Sequence, residues 1–410
     1  MFDPKVIRKD FPMFNNNVEM QGHPLVFLDN ASTTFKPYCV LKEIENYYSF
    51  ETSNSHRGDY DLCFKVDSKI NKTRQIVADF INAEVNEIVF TSGDTASLNI
   101  IAQGYCEKFL KKDDEILITY AEHASNVLPW FELVDKIGCK IKYIPLDEKG
   151  RITLENVKKS LTSKTKVVAI AHVGNVLGYI ADIKNITKLV HENGGILVCD
   201  GAQSVPHMET NVKDLDVDFL TFSGHKMCGP TGIGVLYGKH ELLEKMSVVF
   251  TGGGMNSRFY KNGEVIYLPA PEKFEAGTLN IEGIYGLGAA IKYVSELGMK
   301  NIAEYEQNLR KYAIKALKTV PNIHIYNEDG ETGIIAFNLE GVFAQDEATF
   351  LNSKGIACRS GNHCAKMLDN VIKEYATIRA SLYFYTTKED IDYLVEVLKQ
   401  GGDFLDAYFA

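Results

Sequence analysis

Lys226 closes the segment Ser223-Gly-His-Lys226, which follows an apolar strand and precedes Gly229-Pro-Thr-Gly232. The glycines allow the backbone to approach closely around the lysine. A lysine at the end of a buried strand loses hydration, which lowers its pKa and makes it a candidate nucleophile for Schiff-base formation. The other interpretation is an exposed loop lysine, which the apolar strand before it makes the weaker one.

A turn that could hold a phosphate lies at Ser92-Gly-Asp-Thr95, between the predicted strand Glu87–Thr91 and a helix. Free backbone N–H groups at a helix N-terminus attract anions, and the Thr95 hydroxyl adds a hydrogen-bond donor. Taken alone, this segment is better explained as an ordinary strand-to-helix turn capped by Thr95.

Asp200 and His123 each follow a predicted strand. A buried carboxylate at the carboxyl end of a strand needs a cationic partner, and a protonated heterocyclic nitrogen would serve. A helix-capping role explains Asp200 equally well. His123 could stack on a flat ring or act as an acid or base, although a lone histidine is more often structural.

Cys364 ends the segment Arg359-Ser-Gly-Asn-His-Cys364, which follows a short predicted strand. A thiol near Arg359 and His363 could be stabilised as the reactive thiolate, and Gly361 would let the loop move. A buried, inert cysteine is the alternative. Too few ligands lie nearby for a metal site, so we expect no metal.

Composition excludes several classes of protein. The chain has 410 residues and a formal net charge of -10, which argues against nucleic acid as a partner. No stretch approaches the roughly 20 apolar residues of a membrane span, and the N-terminus has no signal core. We therefore expect a cytoplasmic protein that does not bind membranes. None of the eight cysteines forms a C-x-x-C pair, so a structural zinc site is not expected.

Apolar strands alternate with helical segments up to about residue 284, which predicts a mainly parallel mixed sheet covered on both faces. The remainder reads as a smaller α+β unit that ends in a helix begun by the capping box Thr387–Asp390. We expect a large domain over 20–288 and a small domain formed by 1–19 and 289–410. The predicted strands are Glu87–Thr91, Glu115–Thr119, Lys140–Ile144, Lys166–Ile170, Ile196–Cys199, Asp218–Phe222, Gly234–Tyr237, Ile323–Tyr326, Gly333–Leu339 and Ile356–Arg359.

Together these segments supply a phosphate cradle, a carboxylate for a ring nitrogen, a ring-stacking histidine and a Schiff-base lysine. Those are the protein groups needed to hold pyridoxal phosphate (PLP). The chain resembles the SufS-type cysteine desulfurases, in the class V branch of the fold-type-I, aspartate aminotransferase-like PLP enzymes. Motifs along nearly the whole chain carry the resemblance: Leu28-Asp-Asn-Ala31, Ser55-His-Arg-Gly58, Glu122-His123, His172-Val-Gly-Asn175, Asp200-Gly-Ala-Gln203, Ser223-Gly-His-Lys226, Gly229-Pro-Thr-Gly232, Phe274-Glu-Ala-Gly-Thr278, Arg359-Ser-Gly-Asn-His-Cys364 and Ile378-Arg-Ala-Ser-Leu382.

The resemblance implies an α/β fold and a cofactor site built around Lys226, which would bind PLP covalently. Asp94 departs from the family, where a small residue or Thr is usual. We expect its charge to weaken phosphate binding at most, while its backbone N–H donates. The other implied cofactor residues are His123 on the ring, Asp200 on the ring nitrogen, Gln203 on the phenolic oxygen, Thr95, Ser223 and His225 on the phosphate, and Thr278 from the second subunit of a homodimer.

The resemblance also implies a substrate and a reaction. L-Cysteine would give L-alanine and a persulfide on Cys364, and His123 would act as the general acid. The sulfur would pass to a SufU- or SufE-like acceptor protein for iron–sulfur cluster assembly. Gln345 stands where SufU-using relatives often carry His, which leaves the acceptor open. The implied substrate residues are Arg379, with Asn175, on the carboxylate, Arg359 and Ala31 nearby, and His56 and Arg57 from the partner chain.

Three alternatives remain open. A selenocysteine lyase or cysteine-sulfinate desulfinase would share the PLP residues and can carry the same cysteine. A class V aminotransferase would not need Cys364. A non-catalytic scaffold for sulfur-assembly partners would not need Lys226, Asp200 and Arg379 together.

Overall fold

A seven-stranded sheet forms the centre of the larger unit. The computed structural model describes residues 2–55 and 58–400, so the predicted site residues His56 and Arg57 lie outside the described residues. The predicted strands 115–119 and 140–144 have the expected bounds, and the other five shift by one residue at one or both ends. The seven strands are β1 (Ile88–Thr91), β2 (Glu115–Thr119), β3 (Lys140–Ile144), β4 (Thr165–Ala171), β5 (Ile196–Asp200), β6 (Phe219–Ser223) and β7 (Gly234–Gly238).

The sheet order is β1-β7-β6-β5-β4-β2-β3. β7 is antiparallel to both of its neighbours, whereas the pairs from β6 to β3 are parallel. This confirms the predicted mainly parallel mixed sheet and the α/β fold class. Strands β2, β6 and β7 are buried along their whole length, while the edge strand β3 turns Lys140 and Lys142 to solvent.

Helices cover both faces of the sheet. Successive residues of a strand belong to opposite core clusters, as in β5, where Leu197 and Cys199 face one cluster and Val198 faces the other. Cys199 is thus the buried apolar residue that its strand predicts. The helices of this unit are α1 (Tyr38–Asn46), α2 (Asp61–Ile81), α3 (Asp94–Ile100), α4 (Leu128–Ile137), α5 (Leu154–Ser160), α6 (Ile183–Glu192) and α7 (Ile281–Leu297).

A four-stranded antiparallel sheet forms the smaller unit, in the order β8-β9-β11-β10. The capping box is confirmed, because the Thr387 side chain accepts from Asp390 N–H and the Asp390 side chain accepts from Thr387 N–H. The elements are α8 (Met299–Leu317), β8 (Ile323–Ile325), β9 (Ile334–Leu339), α9 (Ala344–Ser353), β10 (Arg359–Gly361), β11 (Thr377–Ser381) and α10 (Lys388–Lys399).

The predicted single strand over 356–359 is wrong in its extent. Ile356–Ala357 pairs in parallel with Val26–Phe27, and the chain then changes partner at Cys358 before β10 begins. Val26 and Leu28 accordingly lie in the core of the smaller unit, although we placed them in the larger domain.

The expected domain boundary at residue 288 falls inside α7. Leu287 and Ile291, on either side of it, lie in one core cluster of the larger unit, and so does Ile302 in α8. The division into domains stays a prediction. The core cluster of the larger unit continues past residue 288 as far as Ile302, so the core of the smaller unit begins later along the chain.

Candidate active site

The carboxyl ends of the parallel strands meet the smaller unit at a cavity of about 190 Å³. Thr278 does not line it and is exposed to solvent. The structure brings together here all the other predicted site residues that it describes: Ala31, Asp94, Thr95, His123, Asn175, Asp200, Gln203, Ser223, His225, Lys226, Arg359, Cys364 and Arg379.

The turn that we predicted to hold a phosphate lies where β1 meets α3. A Cβ atom on Gly234 would lie 2.5 Å from Gly93 Cα, so β7 and this turn approach closely only because Gly234 is a glycine. Asp94 N–H donates to Ser223 Oγ at 2.8 Å, so this donor, which we expected to face the phosphate, already has a partner. The Thr95 hydroxyl lies 2.7 Å from Ser125 Oγ.

Asp200 and Lys226 are two ionisable groups that line the cavity and act on each other's pKa. Asp200 ends β5, and its Oδ1 accepts from Ala202 N–H at 2.9 Å. Burial raises the pKa of Asp200, and the positive charge of Lys226 acts against that shift. Desolvation lowers the pKa of Lys226, and the charges of Arg379 and Arg359 add to this effect. The sequence predicted this direction for Lys226.

The two predicted histidines of the cofactor site are uncharged near neutral pH. Burial, followed by the charge of Lys226, lowers the pKa of His123 and of His225 to about 4. Ser125 N–H donates to His123 Nδ1 at 3.1 Å, which assigns the single hydrogen of the neutral imidazole to Nε2. The carbonyl of His225 accepts from Thr34 N–H at 3.0 Å, which fixes the turn that carries Lys226.

Arg379 lies on β11, is 2% exposed, and points into the cavity. Its guanidinium donates to Asn175 O at 2.8 Å, Ser32 Oγ at 2.8 Å and Asp29 Oδ1 at 3.1 Å. Arg359 also donates to Ser32 Oγ, at 2.8 Å. The hydroxyl of Ser32 therefore lies between the guanidinium groups of Arg379 and Arg359, which face the same cavity.

Cys364 enters the cavity from a loop of the smaller unit that binds to the larger one. Ala124 N–H donates to Cys364 O at 2.7 Å, and the Asn175 amide donates to His363 O at 2.8 Å. His363 also lines the cavity, and its Nε2 lies 2.9 Å from Thr377 Oγ1. Burial and the charges of Arg379 and Arg359 lower the pKa of His363 to about 3, so it offers Cys364 no positive charge. Its expected help to a thiolate is not available.

The family model described as aminotransferase class-V matches residues 26–394. A probable cysteine desulfurase of Halalkalibacterium halodurans is 42% identical over 98% of this chain and 99% of its own. A probable cysteine desulfurase of Staphylococcus aureus is 41% identical over 100% of this chain and 99% of its own. The chain belongs to the cysteine desulfurases of the aminotransferase class-V family.

Solved cysteine desulfurases have the same fold. The apo structure from Thermococcus onnurineus superposes with a TM-score of 0.92 at 36% identity, and the alignment covers 98% of each chain. The CsdA enzyme of Escherichia coli gives a TM-score of 0.91 at 33% identity over 99% of each chain. The chain is therefore a fold-type-I enzyme along its full length.

Pyridoxal phosphate is the cofactor of this cysteine desulfurase family, and the cavity fits it. Within the described residues, four polar side-chain atoms of residues that line the cavity are buried without a hydrogen-bond partner: Asp94 Oδ1, Gln203 Oε1, His363 Nδ1 and Arg379 Nε. Gln203 uses its amide nitrogen to reach Ala31 O at 2.7 Å. Together with the amine of Lys226, these atoms offer a polar guest both hydrogen-bond acceptors and donors.

Three polar residues of this cysteine desulfurase site were not predicted to serve it, and a fourth, His363, has a different role from the predicted one. Asp29 and Ser32 orient the arginines, and Ser125 joins Thr95 to His123. Asp29 lies within the quoted motif Leu28-Asp-Asn-Ala31, which was the available signal. His363 lines the cavity but serves to hold the loop.

Proposed function

We propose that this chain removes sulfur from L-cysteine with PLP bound through Lys226, and that Cys364 receives the sulfur as a persulfide. One observation carries the proposal: Lys226 and Cys364 line the same cavity of about 190 Å³, together with Arg379. A cofactor lysine, a carboxylate-binding arginine and a thiol in one cavity suit an amino-acid substrate that bears sulfur.

The cofactor would be held by the residues that surround Lys226. Asp200 would pair with the ring nitrogen, His123 would stack on the ring, and Gln203 would contact the phenolic oxygen. Thr95, Ser223 and His225 would bind the phosphate, with Asp94 beside them. Bound PLP supplies an electron sink for the substrate's Cα.

Lys226 would act as the base at the substrate Cα. Its pKa is lowered by desolvation and by two nearby arginines, so the amine is able to lose its proton and accept another one. Arg379 would bind the substrate carboxylate, and Asn175 and Ala31 would shape the pocket around it. Arg359 adds a second positive charge at the open side.

Cys364 would attack the substrate sulfur as a thiolate. A sulfur–sulfur bond forms while the carbon–sulfur bond of the substrate breaks, and the electron pair of that bond stays with carbon. The carbon then takes a proton, for which His123 carries a hydrogen on Nε2, and L-alanine leaves. With His363 neutral, Arg359 and Arg379 are the positive groups of the cavity lining that would favour the thiolate of Cys364.

The homodimer, the acceptor and the location belong to the same proposal. Thr278 is exposed in its own chain, which suits the expected role in a partner's site, and His56 and Arg57 would accompany it. A SufU- or SufE-like protein would take the sulfur for iron–sulfur cluster assembly, approaching near the exposed Gln345. Across 2–55 and 58–400 no helix is long and apolar enough to cross a membrane. We propose a cytoplasmic enzyme.

Turnover of three substrates tests this function. We expect the enzyme to form L-alanine from L-cysteine, and faster once an acceptor protein is added. Activity on L-selenocysteine or L-cysteine sulfinate that exceeds cysteine turnover, even with the acceptor, would favour the lyase or desulfinase alternative. Amino-group transfer to a keto acid, undiminished in Cys364→Ser, would favour the aminotransferase.

A further inference from the structure

Asp94 places a second buried carboxyl group on the cavity wall that carries Asp200. The two residues are 7% and 4% exposed. The start of α3 is fixed by the hydrogen bond from Asp94 N–H to Ser223 Oγ at 2.8 Å, so the side chain cannot easily turn outward. Asp94 Oδ1 finds no hydrogen-bond partner in the described part of the chain.

The charges around this pair do not balance. The groups that act on Asp94 are Asp200 at the end of β5, the amine of Lys226 after β6, and the hydroxyl of Thr221 on β6. Glu122, three residues after β2, is a further carboxyl group on which the charge of Asp200 acts. Lys226 is the cation that acts on Asp94, whereas Arg379 and Arg359, which line the same cavity, act on Lys226. Two buried carboxylates beside one amine are costly to keep ionised, because desolvation disfavours the charged form.

We propose that Asp94 stays protonated beside ionised Asp200. The two carboxyl groups then carry one negative charge between them and act as one acceptor for the ring nitrogen of PLP. Asp94 is then a positioning residue for Asp200. This inference rests on the proposed placement of the cofactor on Lys226. It differs from the expectation that Asp94 acts only on the phosphate.

The electrostatics of Asp94 and Asp200 predict how the charge of this pair changes with pH. Burial and then the charge of Asp200 raise the pKa of Asp94 to about 7. Below that pH, neutral Asp94 leaves Asp200 as the charged carboxyl group of the two. Above it, the ionised carboxylate adds a second negative charge, which favours the protonated form of a nitrogen at Lys226. Because the carboxyl groups interact, the titration belongs to the pair.

The visible absorption of the holoenzyme, titrated from acid to alkaline pH, tests this. The band reports protonation of the bond between cofactor and Lys226. We expect two changes in Asp94→Asn. The step near neutral pH disappears, and the alkaline midpoint falls by about one pH unit, because the nearby negative charge is gone. An Asp94→Asn curve that superposes on the wild-type curve would overturn the proposal.

Glu122→Gln is the matched control. Burial also raises the pKa of Glu122 to about 7, but its carboxylate accepts hydrogen bonds from Thr119, Asn126 and Ala171 and does not line the cavity. We expect Glu122→Gln to keep the neutral step. Loss of the step there, with its survival in Asp94→Asn, would assign the proton to Glu122 and contradict us.

Asp94→Thr is a second neutral substitution, and it shows whether a change seen in Asp94→Asn has another cause. It should show the same lowered midpoint, with an unchanged circular dichroism spectrum. Loss of cofactor binding in both Asp94 variants would also overturn the proposal, because a neutral side chain should suffice here. Absence of a visible band in the wild-type enzyme would instead refute the cofactor placement on Lys226.

Discussion

Lys226 and Cys364 face one cavity, but two different kinds of structure hold them. Lys226 ends a single turn, Gly224–Lys226, directly after the fully buried strand β6. Cys364 follows β10 on an irregular loop, where His363 and Cys364 adopt left-handed backbone φ angles of 51° and 60°. Core packing therefore positions the lysine, whereas a few polar contacts position the cysteine. The two should respond differently to substitution.

The largest effect is expected on the side of the lysine. Lys226→Ala should lose the visible cofactor band, and cysteine turnover should fall by at least about 10³-fold, since the covalent link and the base are both removed. Lys226→Arg is the matched control, because it keeps the positive charge without being able to form the link. Band and turnover surviving in either variant would contradict the role of Lys226.

Cys364→Ser should separate the two regions. Alanine formation from L-cysteine should fall about 10²-fold or more while the visible band stays at the wild-type position, because the cofactor groups do not depend on the thiol. Absorbance and alanine release measure the two effects. Cys358→Ala is the control, since that thiol lies six residues earlier in the chain and outside the cavity lining. Equal losses in both variants would point to a general defect of the smaller unit.

Asn175→Ala should loosen the cysteine loop without disturbing the lysine. The variant loses the hydrogen bond of 2.8 Å to His363 O, which ties the loop to the larger unit. We expect kcat/KM for cysteine to fall about tenfold, the alkylation rate of Cys364 to rise, and the cofactor band to stay unchanged. The exposed Asn370→Ala serves as control. An altered band with unchanged alkylation would place Asn175 on the cofactor side instead.

Ser125→Ala should have the smallest effect, on the cofactor side. Its hydroxyl lies 2.7 Å from Thr95 Oγ1, so its loss removes about 1 kcal/mol of hydrogen bonding beside the phosphate. We expect the dissociation constant of PLP to rise about fivefold, measured by calorimetry. Ser97→Ala, which removes a hydroxyl of α3 outside the cavity, should change it less. A larger rise of the dissociation constant in Ser97→Ala than in Ser125→Ala would contradict a role of Ser125 in the cofactor site.

Sequence reasoning predicted the larger sheet well because most of its strands are apolar runs and the edge strand β3 alternates lysine with apolar residues. The bounds of β2 and β3 came out residue for residue, and Asp200 and Lys226 fell at strand ends as expected. It failed where the chain changes partner. The break at Cys358 depends on pairing of Ile356–Ala357 with a strand more than 300 residues away, which no local pattern records.

The same limit applies to the site. Residue types indicated Lys226, Asp200 and Arg359, and the family resemblance added Arg379, but neither showed how these side chains are held. Asp29 and Ser32 act through contacts with Arg379 that span roughly 350 residues of sequence. The pKa of His363 is lowered by burial and by the charges of Arg379 and Arg359, and the residues next to His363 in sequence do not imply that burial.

Mass spectrometry of Cys364 after brief incubation of PLP-loaded enzyme with L-cysteine, without acceptor, tests the central claim most directly. The peptide containing Cys364 should gain the mass of one sulfur atom, in step with release of one alanine, and the peptide should be unmodified in Lys226→Ala. Alanine released with no added sulfur on Cys364 would contradict the proposed transfer.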